Sequence, residues 1–333
     1  MAKTALVISG GGSRGAFAVG VLKYLYAHRR DIQFDLFCGT STSAIIAPLA
    51  ALGEINLLEK LFTSNSTADI VTTANMVQRF TNNNALYNAT PLVHKLNSIF
   101  TDARFVALEQ LKTAVFVTGL CLQTGRTTYF SPTRDTITKK DYDIVKLSDT
   151  QSLREAVLAS CSMPVFMPPV EMSSLPDQVQ QFTNGGGSHY APIQLAIDHG
   201  ATNIYTILLT QETPPEDDIQ FKNVIDILER HIDNNTNELA ATDVKMTLLH
   251  NKALTYLDAV KNKMKKAGIA AADIKKYFDI PDADPFKEKK LVELHVIRPD
   301  RALDVEMGGM EFTPEVMKEM LAAGEEKAAM LFG

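Results

Sequence analysis

Cysteine is scarce in this chain: Cys38, Cys121 and Cys161 are the three in 333 residues. An odd, scattered set with no pair at metal-ligand spacing excludes a disulfide framework and suits reduced thiols in a reducing compartment. Long apolar runs are missing too. No window approaches the length of a membrane span. The run at Met1–Ser9 meets a glycine cluster before it reaches signal-peptide length, so a cytoplasmic location is expected, with at most peripheral contact to a membrane. A broad basic face is also lacking, and the formal net charge of -6 argues against a nucleic-acid partner. Internal repeats and low-complexity tracts are absent. What remains is an ordinary globular composition, 45% hydrophobic and 22% charged, long enough to bury a substantial core.

The first half alternates strand and helix signals. Thr4–Ser9 is a short apolar run, followed by the glycine cluster Gly10 to Gly15 and then a helical spacing over Ala16–His28. Phe34–Cys38 is a second strand and Ser43–Leu61 a second helix. This βαβα order predicts an α/β fold with a mostly parallel sheet covered by helices. Ser64–Asn84 reads as surface loop or loose helix. Gln123-Thr124-Gly125 marks a hairpin between Ala114–Leu122 and Arg126–Phe130. A helix over Leu147–Ala159, a polar loop over Ser173–Gln181 and a pattern break at Phe182–Gly187 follow. Pro192–Gly200 then reads as a short helix and Asn203–Thr210 as a strand. Pro214–Asp218 is linker-like, and Phe221–Lys266 is long, helical and charged on one face. A strand at Leu291–Ile297 and an amphipathic helix at Pro314–Leu331 close the chain. The simplest account is one domain over residues 1–333, with core motifs in 5–210, a helical insertion at 215–290 and a closing strand and helix in 291–333.

Two loops carry the chemistry. Phe37-Cys38-Gly39-Thr40-Ser41-Thr42-Ser43 is a strand–turn–helix with a serine at its apex, the arrangement that aims a hydroxyl out of a parallel sheet. Ser43 stands where that pattern has its second glycine. Gly10-Gly11-Gly12-Ser13-Arg14-Gly15 presents backbone N–H groups at a helix start. Alone it is open to three readings: a nucleotide cradle, an oxyanion hole or a turn needed for packing. A dinucleotide site wants an acidic residue after the second strand, and a P-loop wants Gly-Lys-Ser/Thr; both are missing. Loops after neighbouring parallel strands open at one sheet edge, so a glycine cradle and an exposed serine become neighbours, as acyl transfer requires. The bland alternative for Ser41 is a helix N-cap. Of the seven histidines, His189 alone sits in a glycine-rich turn, where an exposed loop residue is the simpler reading. The histidines and acidic residues show no metal-ligand spacing.

Taken together these blocks resemble the patatin-like phospholipase family. The glycine cluster and Gly39-Thr40-Ser41 are similar to its first two signatures. Ala159-Ser160-Cys161-Ser162-Met163-Pro164, running on to Val170, is similar to a third, and Asn184-Gly185-Gly186, with Pro192 downstream, to the fourth. The resemblance implies a three-layer, modified α/β-hydrolase fold and a serine–aspartate dyad that hydrolyses fatty-acyl esters of phospholipids and related lipids without metal or cofactor. It puts the nucleophile on Ser41 and the oxyanion hole on Gly11 and Gly12. Gly10, Arg14, Gly15, Gly39, Gly185 and Gly186 are supporting positions.

The dyad aspartate falls on position 184, and this chain has asparagine there. A carboxylate takes the serine proton; a neutral amide does not. The expectation is a lipid acyl hydrolase crippled as written, with a lipid- or acyl-chain-binding pseudoenzyme as the alternative. Three origins stay open for Asn184: an introduced substitution, a natural one with His189 as the nearest other base, and deamidation, to which Asn-Gly is prone. Met163, Val165, Phe166 and Met167, beside Pro164 and Pro168, are candidates for an apolar channel, about half of them expected as plain core. Lys261, Lys263, Lys265 and Lys266 read first as a solvated helix face, with contact to an anionic bilayer as the alternative.

Overall fold

The protein is described by a computed structural model, which covers residues 3–73, 84–173, 175, 179–185, 190–213, 220–280, 286, 289–303, 309 and 311–333. Its elements run β1 (Lys3–Ile8), α1 (Gly15–His28), β2 (Leu36–Gly39), α2 (Ser43–Ala51), α3 (Ile55–Ser64), β3 (Thr72–Thr73) and β4 (Tyr87–Asn88). Next come α4 (Thr90–Ile99), α5 (Asp102–Glu109), β5 (Ala114–Cys121), β6 (Thr127–Ser131), β7 (Ile137–Thr138), β8 (Tyr142–Lys146) and α6 (Thr150–Cys161). The remainder is β9 (Val170–Glu171), β10 (Gln181–Asn184), α7 (Ile193–Asp198), β11 (Ala201–Ile207), α8 (Val224–Lys266), α9 (Ala271–Phe278), β12 (Glu293–Ile297) and α10 (Pro314–Phe332).

The central strands follow the order β12–β11–β1–β2–β5–β6–β8–β7. Every pairing from β12 across to β5 is parallel, as the βαβα reading expects. The β5–β6 hairpin is antiparallel, with Val117 opposite Phe130. Alternate residues of one strand enter different cores. Leu6 and Ile8 join Phe17, Leu22, Ile46 and Leu321 on one face. Ala5 and Val7 join Ile193, Leu195, Ala240 and Val244 on the other. A sheet buried on both sides by helices is a three-layer α/β fold.

Three readings are corrected by the structure. The helix expected over Ser43–Leu61 is two helices, broken at Gly53, whose φ is 73°. The segment after the break has its own apolar face, with Ile55, Leu58 and Phe62 buried. The pattern break expected from Phe182 is in part a strand, because Phe182 and Thr183 are buried and pair with Cys121 and Leu120 of β5. Four residues are too few to show a period of two. The long charged segment is helical as expected, but α8 begins at Val224 rather than Phe221 and lies with α9 between β11 and β12. The linker-like Pro214–Asp218, residues 74–83 of the loop expected over Ser64–Asn84, and Gly186, Gly187 and His189 lie outside the described residues. Among the described residues, no helix is long and apolar enough to cross a membrane.

Candidate active site

β1 and β2 are parallel neighbours, so the loops leaving their carboxyl ends open on one edge of the sheet. The β2 loop makes a turn too tight for most residues. Ser41 has φ of 60°, an uncommon conformation for any side chain but glycine, and strain of this kind gathers at functional sites. A Cβ on Gly39 would stand 1.9 Å from the Ser43 carbonyl oxygen, so only glycine lets the strand end and helix start come this close. The Ser41 backbone N–H donates to Ser160 Oγ at 2.9 Å, and the Ala44 N–H donates to the Ser41 carbonyl at 2.8 Å. Ser43, the departure from the double-glycine pattern, ties the two loops together. Its Oγ donates to the Ser9 carbonyl at 2.7 Å. The N-cap position of α2 is Thr42, not Ser41, and the Ser41 hydroxyl faces Asn184, which sets aside the N-cap alternative.

Register explains how a residue 143 positions away reaches the serine. β2 pairs with β5 only as far as Gly39 opposite Val117. Beyond that point the same edge of β5 is taken by antiparallel β10, with Asn184 opposite Gly119. Asn184 therefore arrives just past the end of β2, where Ser41 turns out of the sheet. Its backbone N–H donates to the Ser162 carbonyl at 2.8 Å, and its Nδ2 donates to Ser41 Oγ at 3.0 Å. The seryl oxygen thus accepts a hydrogen bond from an amide.

The glycine loop closes the site from the β1 side. Gly11 and Gly12 line one cavity with Ser41 and Asn184, and Thr42 Oγ1 donates to the Gly12 carbonyl at 2.9 Å. A Cβ on Gly10 would meet the Tyr190 hydroxyl at 2.5 Å and Ser41 Cβ at 2.8 Å, so this glycine keeps the loop against the serine. Gly15 opens α1 against Phe62, and Gly185 lies against Thr118. Arg14 links the glycine loop to α8. It forms a two-pronged pair with Asp233 of α8, at 2.9 and 3.2 Å, with both side chains close to nine-tenths covered. Gly186 lies outside the described residues.

The cavity measures about 520 Å³. Its inner part is apolar, with Ile45, Phe62, Leu92, Met167 and Phe312, and its rim on α8 is mixed, with Ile232, Asn235, Leu239 and Thr242. Of the four residues expected as channel candidates, Met163 and Met167 line it, as does Pro164. Phe166 is fully buried and stacks on Tyr87, while Val165 is half exposed with φ of 72°. Sequence reasoning missed Tyr190 and Asp233 as parts of this site. Neither sits in a motif, since Asp233 reaches it from a separate helix. Burial raises the Tyr190 phenol far above its ordinary range and pushes the Cys161 thiol up to about 12, so both stay protonated at neutral pH. Among the described residues no histidine lines the cavity, and no group of three His, Cys, Asp or Glu is placed to hold a metal.

Fold and site together define an α/β protein with a strained serine elbow at the head of an apolar cavity. The sequence profile of the Patatin-like phospholipase family matches residues 6–197, and the chain belongs to that family. A cUMP-AMP-activated phospholipase of Escherichia coli is 43% identical over 67 residues, a stretch amounting to 18% of this chain and 20% of that relative. The crystal structure of VipD from Legionella pneumophila superposes with a TM-score of 0.50 at 12% identity, covering 99% of this chain and 66% of VipD. The chain thus spans a fifth of one relative and somewhat under two thirds of the other. The likeness to VipD bears on the fold.

Proposed function

We propose that this chain is a lipid acyl hydrolase whose chemistry runs through an acyl ester on Ser41 and whose turnover is held down by Asn184. One observation carries the reading: Ser41, in a left-handed turn, faces Asn184 at 3.0 Å inside a largely apolar cavity. Its volume lies within the range of small-ligand sites, and its largely apolar lining suits an acyl chain rather than a polar nucleotide. In the complete reaction, Ser41 Oγ bonds to the acyl carbonyl carbon as its proton passes to a base. The base returns that proton to the departing alcohol oxygen, and water then releases the fatty acid from Ser41. Backbone N–H groups of Gly11 and Gly12 are the donors for the charge that develops on the carbonyl oxygen. A carboxylate at position 184 receives the proton; an amide cannot hold it.

In this reading residues 1–333 act as one unit, and the helical insertion supplies the outer wall of the cavity. The substrate is a phospholipid or another fatty-acyl ester. A second reading, a non-catalytic acyl-chain binder, draws on one specific observation, the amide donating to the seryl oxygen.

A fluorophosphonate probe with mass mapping separates the two. Slow labelling confined to Ser41, absent in Ser41→Ala and much faster in Asn184→Asp, is the expected result. Absence of labelling in both the parent and Asn184→Asp contradicts the hydrolase reading.

A further inference from the structure

Helix α8 carries a side-chain pattern that starts inside the cavity and runs out of it. Ile232, Asn235, Leu239 and Thr242 line the cavity rim, spaced alternately three and four residues apart. The same spacing continues through Met246, Leu249, Ala253 and Tyr256, beyond the cavity. Steps of three and four keep residues on one side of a helix. Ala240, Val244 and Thr247, on the side facing the body of the protein, are buried. Met246, Leu249 and Tyr256 are 45%, 56% and 69% exposed. The mixed α8 rim of the cavity therefore continues along the helix as an exposed, mainly apolar strip.

Charge changes sign along this helix. From Val224 to Asp243 there are five carboxylates against Arg230 alone; from Val244 to Lys266 there are six lysines against Asp258 alone. This basic half stands out in a chain of net charge -6. At 100° per residue, Lys245, Lys252 and Lys263 fall within a quarter turn of the strip, on one edge of it. Lys245 also reaches Glu238 at 3.3 Å on the exposed surface. An apolar strip bearing a tyrosine and edged by lysines is the pattern of a helix that lies in a membrane interface. A helical partner packed along such a seam calls for flanking charges of both signs, whereas from Val244 onward this edge of the strip carries lysines alone, Glu238 lying before it.

We propose that the outer face of α8, centred on Met246, Leu249 and Tyr256, docks on an anionic lipid surface and brings the cavity rim against it. The docking stands on the strip and its charges; its use, passing an acyl ester from the surface to Ser41, rests on the reading given under Proposed function.

The test is co-sedimentation of the full chain with phosphatidylcholine vesicles, with and without phosphatidylserine, across a range of salt. Binding to the phosphatidylserine vesicles that weakens as salt rises is expected, with little binding to phosphatidylcholine alone. Met246→Glu with Leu249→Glu lowers the bound fraction at least about tenfold. Lys245→Glu with Lys252→Glu removes most of its salt dependence. Neither pair lines the cavity, so hydrolysis of a short-chain water-soluble ester, measured in an Asn184→Asp background, stays unchanged, and the circular dichroism melt confirms folding. Equal binding to both vesicles, or binding undiminished in the folded Met246→Glu, Leu249→Glu protein, overturns the proposal. So does a dimer in sedimentation velocity that this pair dissociates, since a second copy then covers the strip. If the pair loses vesicle binding while Asn184→Asp cleaves no soluble ester, docking stands and the hydrolase reading fails.

Discussion

At the scale of single residues, the proposed chemistry turns on which atom holds the serine proton. Asn184 donates to Ser41 Oγ, and an amide offers no basic site at neutral pH. The Asn184–Gly185 pair, open to deamidation on sequence alone, is held in place here. The Asn184 N–H is bonded to the Ser162 carbonyl, and a Cβ on Gly185 would stand 2.4 Å from Thr118. Peptide mass mapping after prolonged incubation is expected to find asparagine retained in the folded protein and lost faster once the chain is denatured; equal rates contradict this. His199 offers a separate prediction. Burial lowers its pKa below the ordinary 6.5, and its Nδ1 lies 2.9 Å from the Leu195 carbonyl. The unfolded chain then binds this proton at higher pH than the folded one does. Stability present above pH ~6.5 is lost progressively as pH falls from that value through the lower pKa of the folded state. Thermal melts are expected to fall more steeply between neutral and mildly acid pH in the parent than in His199→Gln. Identical slopes count against the assignment.

At the scale of elements, two contacts hold the site's surroundings. The Arg14–Asp233 pair ties the glycine loop to α8 with both partners largely covered. Asp233→Asn leaves a guanidinium without its carboxylate and is expected to cost about 3 kcal/mol in urea unfolding. Arg14→Met with Asp233→Leu recovers much of that loss; a single change with no cost contradicts the contact. The closing helix α10 meets α1 with almost no space between backbones. A Cβ on Gly324 would stand 2.0 Å from the Phe17 carbonyl oxygen, and one on Gly20 would stand 1.9 Å from that of Leu321. Gly324→Val is expected to lower unfolding stability by about 2–3 kcal/mol, through forced separation of the helices. An unchanged denaturation midpoint contradicts that packing.

The elements also show why some of the fold could be read from sequence. β1, α1, β2, β5, β6 and β11 announce themselves through apolar runs punctuated by glycine, and the serine elbow through Gly39 and Ser41. β10 is invisible there, because four residues gain their strand identity from an edge of β5 that β2 leaves unpaired. Asp233 and Tyr190 are silent for a related reason. Nothing local marks them, and only the packing of α8 and of the chain after β10 brings them to the cavity.

For the molecule as a whole, the family motifs lie in the first two thirds of the chain, while α8 adds Asp233 and Leu239 to the cavity lining, and the closing helix with the residues just before it adds Met317 and Phe312. A chain of this build has an elbow, a glycine loop and a largely apolar cavity, and carries an amide where the proposed reaction calls for a carboxylate. On the proposed reading, position 184 alone separates this protein from efficient turnover. The most direct test is the rate of hydrolysis of a short-chain acyl ester by the parent, Asn184→Asp, and Asn184→Asp carrying Ser41→Ala. Exchange of aspartate for asparagine in a serine protease triad costs about 10⁴ in kcat. Asn184→Asp is therefore predicted to exceed the parent by a factor on the order of 10⁴, and Ser41→Ala to abolish the gain. An Asn184→Asp protein that folds as the parent does and hydrolyses no faster contradicts the account.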